Sequence, residues 1–298
     1  MRTMDIARRT GAGAVAVVLG TAAGAAAPDR SAHAGGLAPV RVEEVSENDA
    51  SVTKVVTASC PGRLSVFAAG ARIVNGNGGV VLTAMEPDAE LTSVTVTATA
   101  RTGHASAWSV VAYATCDWST SPPVRTTATV GSASTVEVSC PGDTRLVGTG
   151  FRVEGAVDQT YVDEVAFGPG LRTVRVHTGG TAEPAALTAV GVCKEPTQPT
   201  GPPGVRVEAA TGYDGAWPKT VGTAPAGPDA HVYGVGASVT GAGPFFLNAL
   251  VPSANLRQAG AEAVRASQLP GPAAARADAA GDGAGSLAVS AAEMAAFH

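Results

Sequence analysis

Ser93-Val94-Thr95-Val96-Thr97-Ala98-Thr99-Ala100 alternates small apolar and hydroxyl side chains without interruption. Successive side chains of a strand point to opposite faces, so the octet predicts an antiparallel strand with one face buried. Upstream, Asn75-Gly76-Asn77-Gly78-Gly79 separates the apolar runs Ile73-Val74 and Val80-Val81-Leu82. Asn and Gly tolerate positive φ, so this segment predicts a hairpin. Further out, Cys60 follows the strand-like run Val55 to Ser59 and opens Cys-Pro-Gly. Cys116 closes the apolar run that starts at Trp108.

The same pattern recurs. Cys140 follows Thr135 to Ser139 and opens a second Cys-Pro-Gly, and Cys193 closes the run from Leu187. Ten residues after each opener stands a glycine, Gly70 and Gly150, followed by a strand that carries Arg72 or Arg152. A Pro turn comes next, at Pro87 and Pro169, and then an alternating strand. The order opener, closer, opener, closer predicts disulfides Cys60–Cys116 and Cys140–Cys193, one per unit. Each would close a loop worth about 4 kcal/mol of chain entropy. A third copy lacks cysteines. Its glycine strand holds Gly236, Phe245 to Leu250 and Pro252 match the next strand and turn, Leu287 to Ser290 match the closing strand, and Ala224-Pro225 stand near the opener. The expected fold class is therefore all-β: tandem antiparallel repeats of about 80 residues, sandwich- or prism-like. Leu256 to Ser267 conflicts with it, because its composition favours a helix.

Pro and Gly mark the joints. Ser119 to Pro123 separates the first two units, and 196–204 reads as a semi-rigid Pro-rich linker. The expected organisation is 1–34 export signal, 35–119 first repeat, 120–195 second repeat, the linker, and 205–298 third repeat with a disordered stretch at 270–285. The signal reading rests on Arg2, Arg8 and Arg9, an uncharged apolar stretch from Gly11 to Ala27, and Ala32-His33-Ala34 before Gly35. The apolar stretch is too short and too rich in Ala and Gly to span a bilayer. The mature chain is expected outside the cell, with no integral membrane segment. The segment 1–34 carries four Arg and two Asp, so its removal takes the net charge from −5 to −7. An acidic surface argues against nucleic acid as a partner. Aromatics make up 4% of the chain, so the core must be built from Val, Ala, Leu and Thr.

Cys60-Pro61-Gly62, Gly70, Pro87 and Ala112-Tyr113-Ala114-Thr115-Cys116, repeated as Cys140-Pro141-Gly142, Gly150 and Cys193, resemble a repeat of uncharacterised secreted proteins from actinobacteria. That resemblance covers roughly 50–195 and implies export and an intra-repeat disulfide, with no activity attached. The second unit, through Cys140-Pro141, Gly150-Phe151-Arg152-Val153-Glu154 and Cys193, also resembles the repeats of the vitelline membrane outer layer proteins, which are three-repeat β-prisms. The spacing here is longer than theirs.

Catalytic chemistry has few carriers. His104, His177, His231 and His298 show no metal-ligand spacing, so no metal or cofactor is expected. There is no Gly-x-Ser-x-Gly elbow and no phosphate-cradling loop. Acidic residues cluster at 43–49 and 158–164, where paired carboxylates could serve glycoside hydrolysis or Ca²⁺. Neither cluster matches a known loop, and both read as solvated turns. Tyr213-Asp214-Gly215-Ala216-Trp217 places two rings and a carboxylate on one loop, and Trp118 lies just past Cys116. Tyr213, Asp214, Trp217 and Trp118 are the candidate ligand-binding residues, and a glycan or cell-wall polymer is the candidate partner. The expectation is a secreted, non-enzymatic binding or adhesion protein. A structural envelope component and a secreted hydrolase are the alternatives.

Overall fold

The computed structural model describes residues 38–155, 158–195, 204–226, 230–241, 243–266 and 284–295. The expected export signal, the linker up to 203 and the 270–283 stretch lie outside them. The first repeat forms β1 (Val40–Val45), β2 (Thr53–Ser59), β3 (Ser65–Val74), β4 (Val80–Pro87), β5 (Ser93–Ala100) and β6 (Ser109–Asp117). The second forms β7 (Val124–Gly131), β8 (Thr135–Ser139), β9 (Arg145–Glu154), β10 (Thr160–Phe167), β11 (Thr173–Gly180) and β12 (Ala186–Lys194). The third forms β13 (Val205–Ala210), β14 (Lys219–Gly222), β15 (Ala230–Gly241), β16 (Phe245–Pro252), β17 (Ala259–Arg265) and β18 (Gly285–Ala295). The Ser93 octet is β5, and its burial alternates residue by residue as the pattern predicts.

No repeat is a bead. The eighteen strands of the described residues form three six-stranded antiparallel sheets, and every sheet is shared by two repeats. Sheet I runs β1-β6-β3-β16-β17-β14, sheet II runs β2-β5-β4-β9-β12-β7, and sheet III runs β13-β18-β15-β10-β11-β8. The first repeat thus shares sheet II with the second, the second shares sheet III with the third, and the third shares sheet I with the first. This cyclic exchange closes a three-sided prism around one core.

The aligned glycines sit at the junctions. A Cβ on Gly70 would lie 2.7 Å from the Leu250 carbonyl, one on Gly150 2.5 Å from that of Met85, and one on Gly236 2.6 Å from that of Val165. In each case the obstructing backbone belongs to the neighbouring repeat, so only glycine lets the two repeats pair. Each central strand also bulges inward at the core, at Phe67, Val147 and Tyr233. Tyr233 donates its hydroxyl to Asp117, 2.7 Å away in the first repeat, and so satisfies a buried carboxylate.

Both disulfides form as expected, Cys60–Cys116 and Cys140–Cys193. In the third repeat the opener position is Ala226 rather than Ala224. The Ala226 amide donates to the Arg257 carbonyl, as Cys60 does to Thr92 and Cys140 to Arg172. The helical composition after Leu256 is overridden. Ala259, Ala261 and Ala263 turn inward on β17, which is paired on both sides by β16 and β14. Ladder bonds and burial decide the conformation of a segment whose intrinsic preference is weak. Leu91, Leu171 and Leu256, one per repeat, share a left-handed backbone at φ 54°, 54° and 52° and are all buried. Burying the leucine side chain offsets the strain that such a backbone imposes on a non-glycine residue.

Candidate functional site

The loop 211–218 joins β13 to β14 and carries Tyr213, Asp214 and Trp217. Its polar atoms are largely committed to one another. The buried Lys219 ammonium donates to Asp214 Oδ1 at 2.7 Å and to the Gly212 carbonyl at 3.1 Å, and lies 5.3 Å from the Trp217 ring centre. The Ala216 amide donates to the same Asp214 oxygen at 2.8 Å. Trp217 stacks on Phe245 with ring centres 3.9 Å apart. The hydrogen bond from Lys219 holds the Asp214 carboxyl below its ordinary range.

The first repeat contains the same device. Lys54 pairs with Asp49, donates to the Glu47 carbonyl at 2.9 Å and lies 5.0 Å from the Trp108 ring centre, while the Ser51 amide donates to Asp49 at 2.8 Å. Lys54 faces Ala98 on β5 and Lys219 faces Ala263 on β17, which are matching positions of the two repeats. Asp49 is lowered to about 2, chiefly by the Lys54 hydrogen bond. The patch singled out in the sequence is therefore a repeated Asp-Lys turn, with Asp214 and Trp217 acting as its struts. The signal was present as Asp-x₄-Lys twice, in a chain with only three lysines. Tyr213 remains 62% exposed. Trp118 is 39% exposed on the separate connection from β6 to β7.

The acidic clusters do not converge either. Asp49 serves the turn just described. Asp158 accepts the amide and hydroxyl of Thr102, both at 2.6 Å, and so ties the second repeat to the first. Asp163 Oδ1 lies 2.6 Å from His177 Nδ1. Burial pushes the Asp163 carboxyl up, against the His177 hydrogen bond.

Asp163 has structural counterparts in the other two sheets. The strands β4, β10 and β16 each bulge once, at Thr83, Asp163 and Asn248. Each bulge residue bonds across its hairpin: Thr83 to the Thr97 carbonyl at 3.3 Å, Asp163 to His177, and Asn248 to Glu262 at 2.8 Å. A bulge inserts one extra side chain and twists the strand, so each sheet carries a polar centre on its outer face.

The centre of sheet II opens into a groove. The groove has a volume of about 520 Å³ and is floored by Thr83, Ala84 and Thr97. Glu86 stands in it between two arginines from the second repeat. Arg152 Nε donates to Glu86 Oε2 at 2.6 Å, and Arg125 Nη2 lies 3.5 Å from Oε1. Arg125 also donates through Nε to the Pro87 carbonyl at 2.9 Å. On sheet I, Arg41 makes the matching bond to the Pro252 carbonyl at 2.8 Å. The Arg152 guanidinium is pushed further up by Glu86. At the rim, burial raises Asp88, but hydrogen bonds from Thr92 and Ser93 outweigh it and hold the carboxyl low. The groove thus presents fixed donors, fixed acceptors and hydroxyls in one shallow depression. Among the described residues no cluster of three or more His, Cys, Asp or Glu could hold a metal. Sequence reasoning missed Glu86, Arg125 and Arg152. Arg125 is legible in hindsight, because Pro39-Val40-Arg41, Pro123-Val124-Arg125 and Gly204-Val205-Arg206 repeat one motif. No protein-family model matches the chain, and no curated protein matches it significantly.

Proposed function

We propose that the protein is a secreted, non-catalytic binding protein that takes a glycan segment of a cell-wall or matrix polymer in the groove of sheet II. The observation that carries this reading is Glu86 held between Arg125 and Arg152 among threonine hydroxyls. A sugar presents hydroxyls that both donate and accept, and such a ligand needs pre-oriented carboxylate and guanidinium partners on an open surface. The three groups come from two repeats, so the closed prism itself orients them. The two disulfides fit an oxidising compartment, and no described helix is long and apolar enough to cross a membrane. The resemblance to secreted β repeats points the same way.

The test is co-sedimentation of the chain without residues 1–34 with insoluble cell-wall polymer, compared with the variants Glu86→Ala and Arg152→Ala. Both side chains lie on the outer face, so each variant should melt within a few degrees of wild type. Binding should weaken by about tenfold or more, the effect of losing one charge-assisted hydrogen bond. Equal binding by wild type and both variants would sink the reading.

A further inference from the structure

The geometry points to a track on sheet II for an extended, unbranched, uncharged glycan chain that crosses the strands, an inference that rests on the glycan reading above. The register defines the track. Val55, Thr97, Ala84, Arg152, Thr188 and Thr129 are successive partners on β2, β5, β4, β9, β12 and β7. They form one row across the full width of the sheet. Neighbouring strands lie ~4.8 Å apart, so the row is about 24 Å long. Two residues along the strands, Thr57 and Thr95 are partners and Glu86 follows on β4. Beside Glu86 lies Gly150, where a Cβ would come within 3.0 Å of Pro87 and 3.3 Å of Val190, so the floor stays bare at the crossing between repeats.

The composition of the row selects the ligand. The outward positions of β2 and β5 carry seven hydroxyls and Val55, in an uninterrupted register. Hydroxyls meet in pairs at both ends of the track: Thr57 with Thr95 at 3.0 Å, and Thr129 with Thr188 at 2.8 Å. Charge is confined to the centre, where Glu86 is compensated by the arginines. The matching rows elsewhere are ionic: His177 and Glu164 on sheet III, Arg72 and Glu262 on sheet I. A polyanion would find no cation at either end of the track, and a planar stacking ligand would find no ring among these residues. A neutral linear chain with hydroxyl and acetamido groups finds hydroxyl partners on both sides of the crossing between repeats, with Val55 and Ala84 as apolar contacts, donating to Glu86 and accepting from Arg152 near its middle.

Calorimetric titration with N-acetylglucosamine oligomers, from the disaccharide to the hexasaccharide, tests the track. Affinity should rise by about tenfold or more along the series. Thr57→Lys and Thr129→Lys, placed at opposite ends on exposed strand positions, should each return the hexasaccharide about tenfold towards the disaccharide value and leave the disaccharide within about twofold. Their melting temperatures should match wild type. Affinity independent of length, with Arg152→Ala still lowering it, would overturn the track and leave the groove standing. Failure of every oligomer to bind would overturn both.

Discussion

At the residue scale, the junction glycines and the half-buried Asp163 make the sharpest claims. Gly150→Ala forces a methyl group onto the Met85 carbonyl at 2.5 Å, and the backbone of the first repeat must yield. Overpacking of this kind costs about 1–3 kcal/mol, which for a chain of this size lowers the melting temperature by roughly 2–4 °C per kcal/mol. Gly131→Ala is the control, because its Cβ would meet only the Ala185 carbonyl at an ordinary 3.7 Å. Calorimetry should show a loss for the first substitution and almost none for the second. Asp163 makes a pH claim. Its carboxyl is pushed above the ordinary 3.8, so the folded protein holds that proton more tightly than the unfolded chain. Stability from this group is greatest below 3.8 and falls as pH rises from there through the elevated value. Asp163→Asn still accepts the His177 bond but cannot ionise. Its melting temperature relative to wild type should therefore climb across that window. A difference that does not vary with pH would refute the assignment.

At the element scale, the third repeat shows what the disulfides do. Ala226 sits where the others have an opening cysteine, with the same backbone bond, so the strand positions do not require the covalent link. Each bond instead removes freedom from the unfolded chain, worth about 4 kcal/mol for loops of these lengths. Reduction should lower the midpoint of chemical denaturation and leave the far-ultraviolet β spectrum of the native protein unchanged. Loss of that spectrum in dilute buffer on reduction alone would show that the bonds hold the strands in place. The Asp-Lys turns belong to this scale too. They recur in the first and third repeats and close the β1–β2 and β13–β14 connections. Trp217→Ala should therefore lower stability through lost stacking on Phe245, and should leave unchanged any binding at the groove proposed on sheet II.

At the scale of the whole molecule, strand exchange makes the three repeats one cooperative unit. A fragment ending at 195 would leave β3 and β10 without their partners β16 and β15. Two open sheet edges and an uncovered core invite aggregation. The fragment should fail to give a single sharp unfolding transition, whereas the intact chain should give one transition by fluorescence and circular dichroism alike. Independent melting of a stable two-repeat fragment would contradict the closed prism.

Alternation in β5 and the paired cysteines are local properties, and sequence alone determined an all-β fold, repeats of about 80 residues and the disulfide partners. The Asn-Gly segment 75–79 does not close the hairpin its composition predicts: it is a corner that carries the chain from β3 in sheet I to β4 in sheet II, because each strand finds its ladder partners within its own sheet. Tyr213 to Trp217 reads as a binding patch because sequence displays which residues are neighbours but not which already have partners; Lys219 holds the Asp214 carboxylate and Phe245 stacks on Trp217, while Tyr213 stays exposed. Arg125 and Arg152 lie 39 and 66 residues beyond Glu86 along the chain, and although Arg125 belongs to a repeated motif, nothing local ties either arginine to that carboxylate. Only the exchange of strands between repeats brings them together, because pairing of β4 with β9 depends on long-range closure of the prism and on glycines that let two backbones approach.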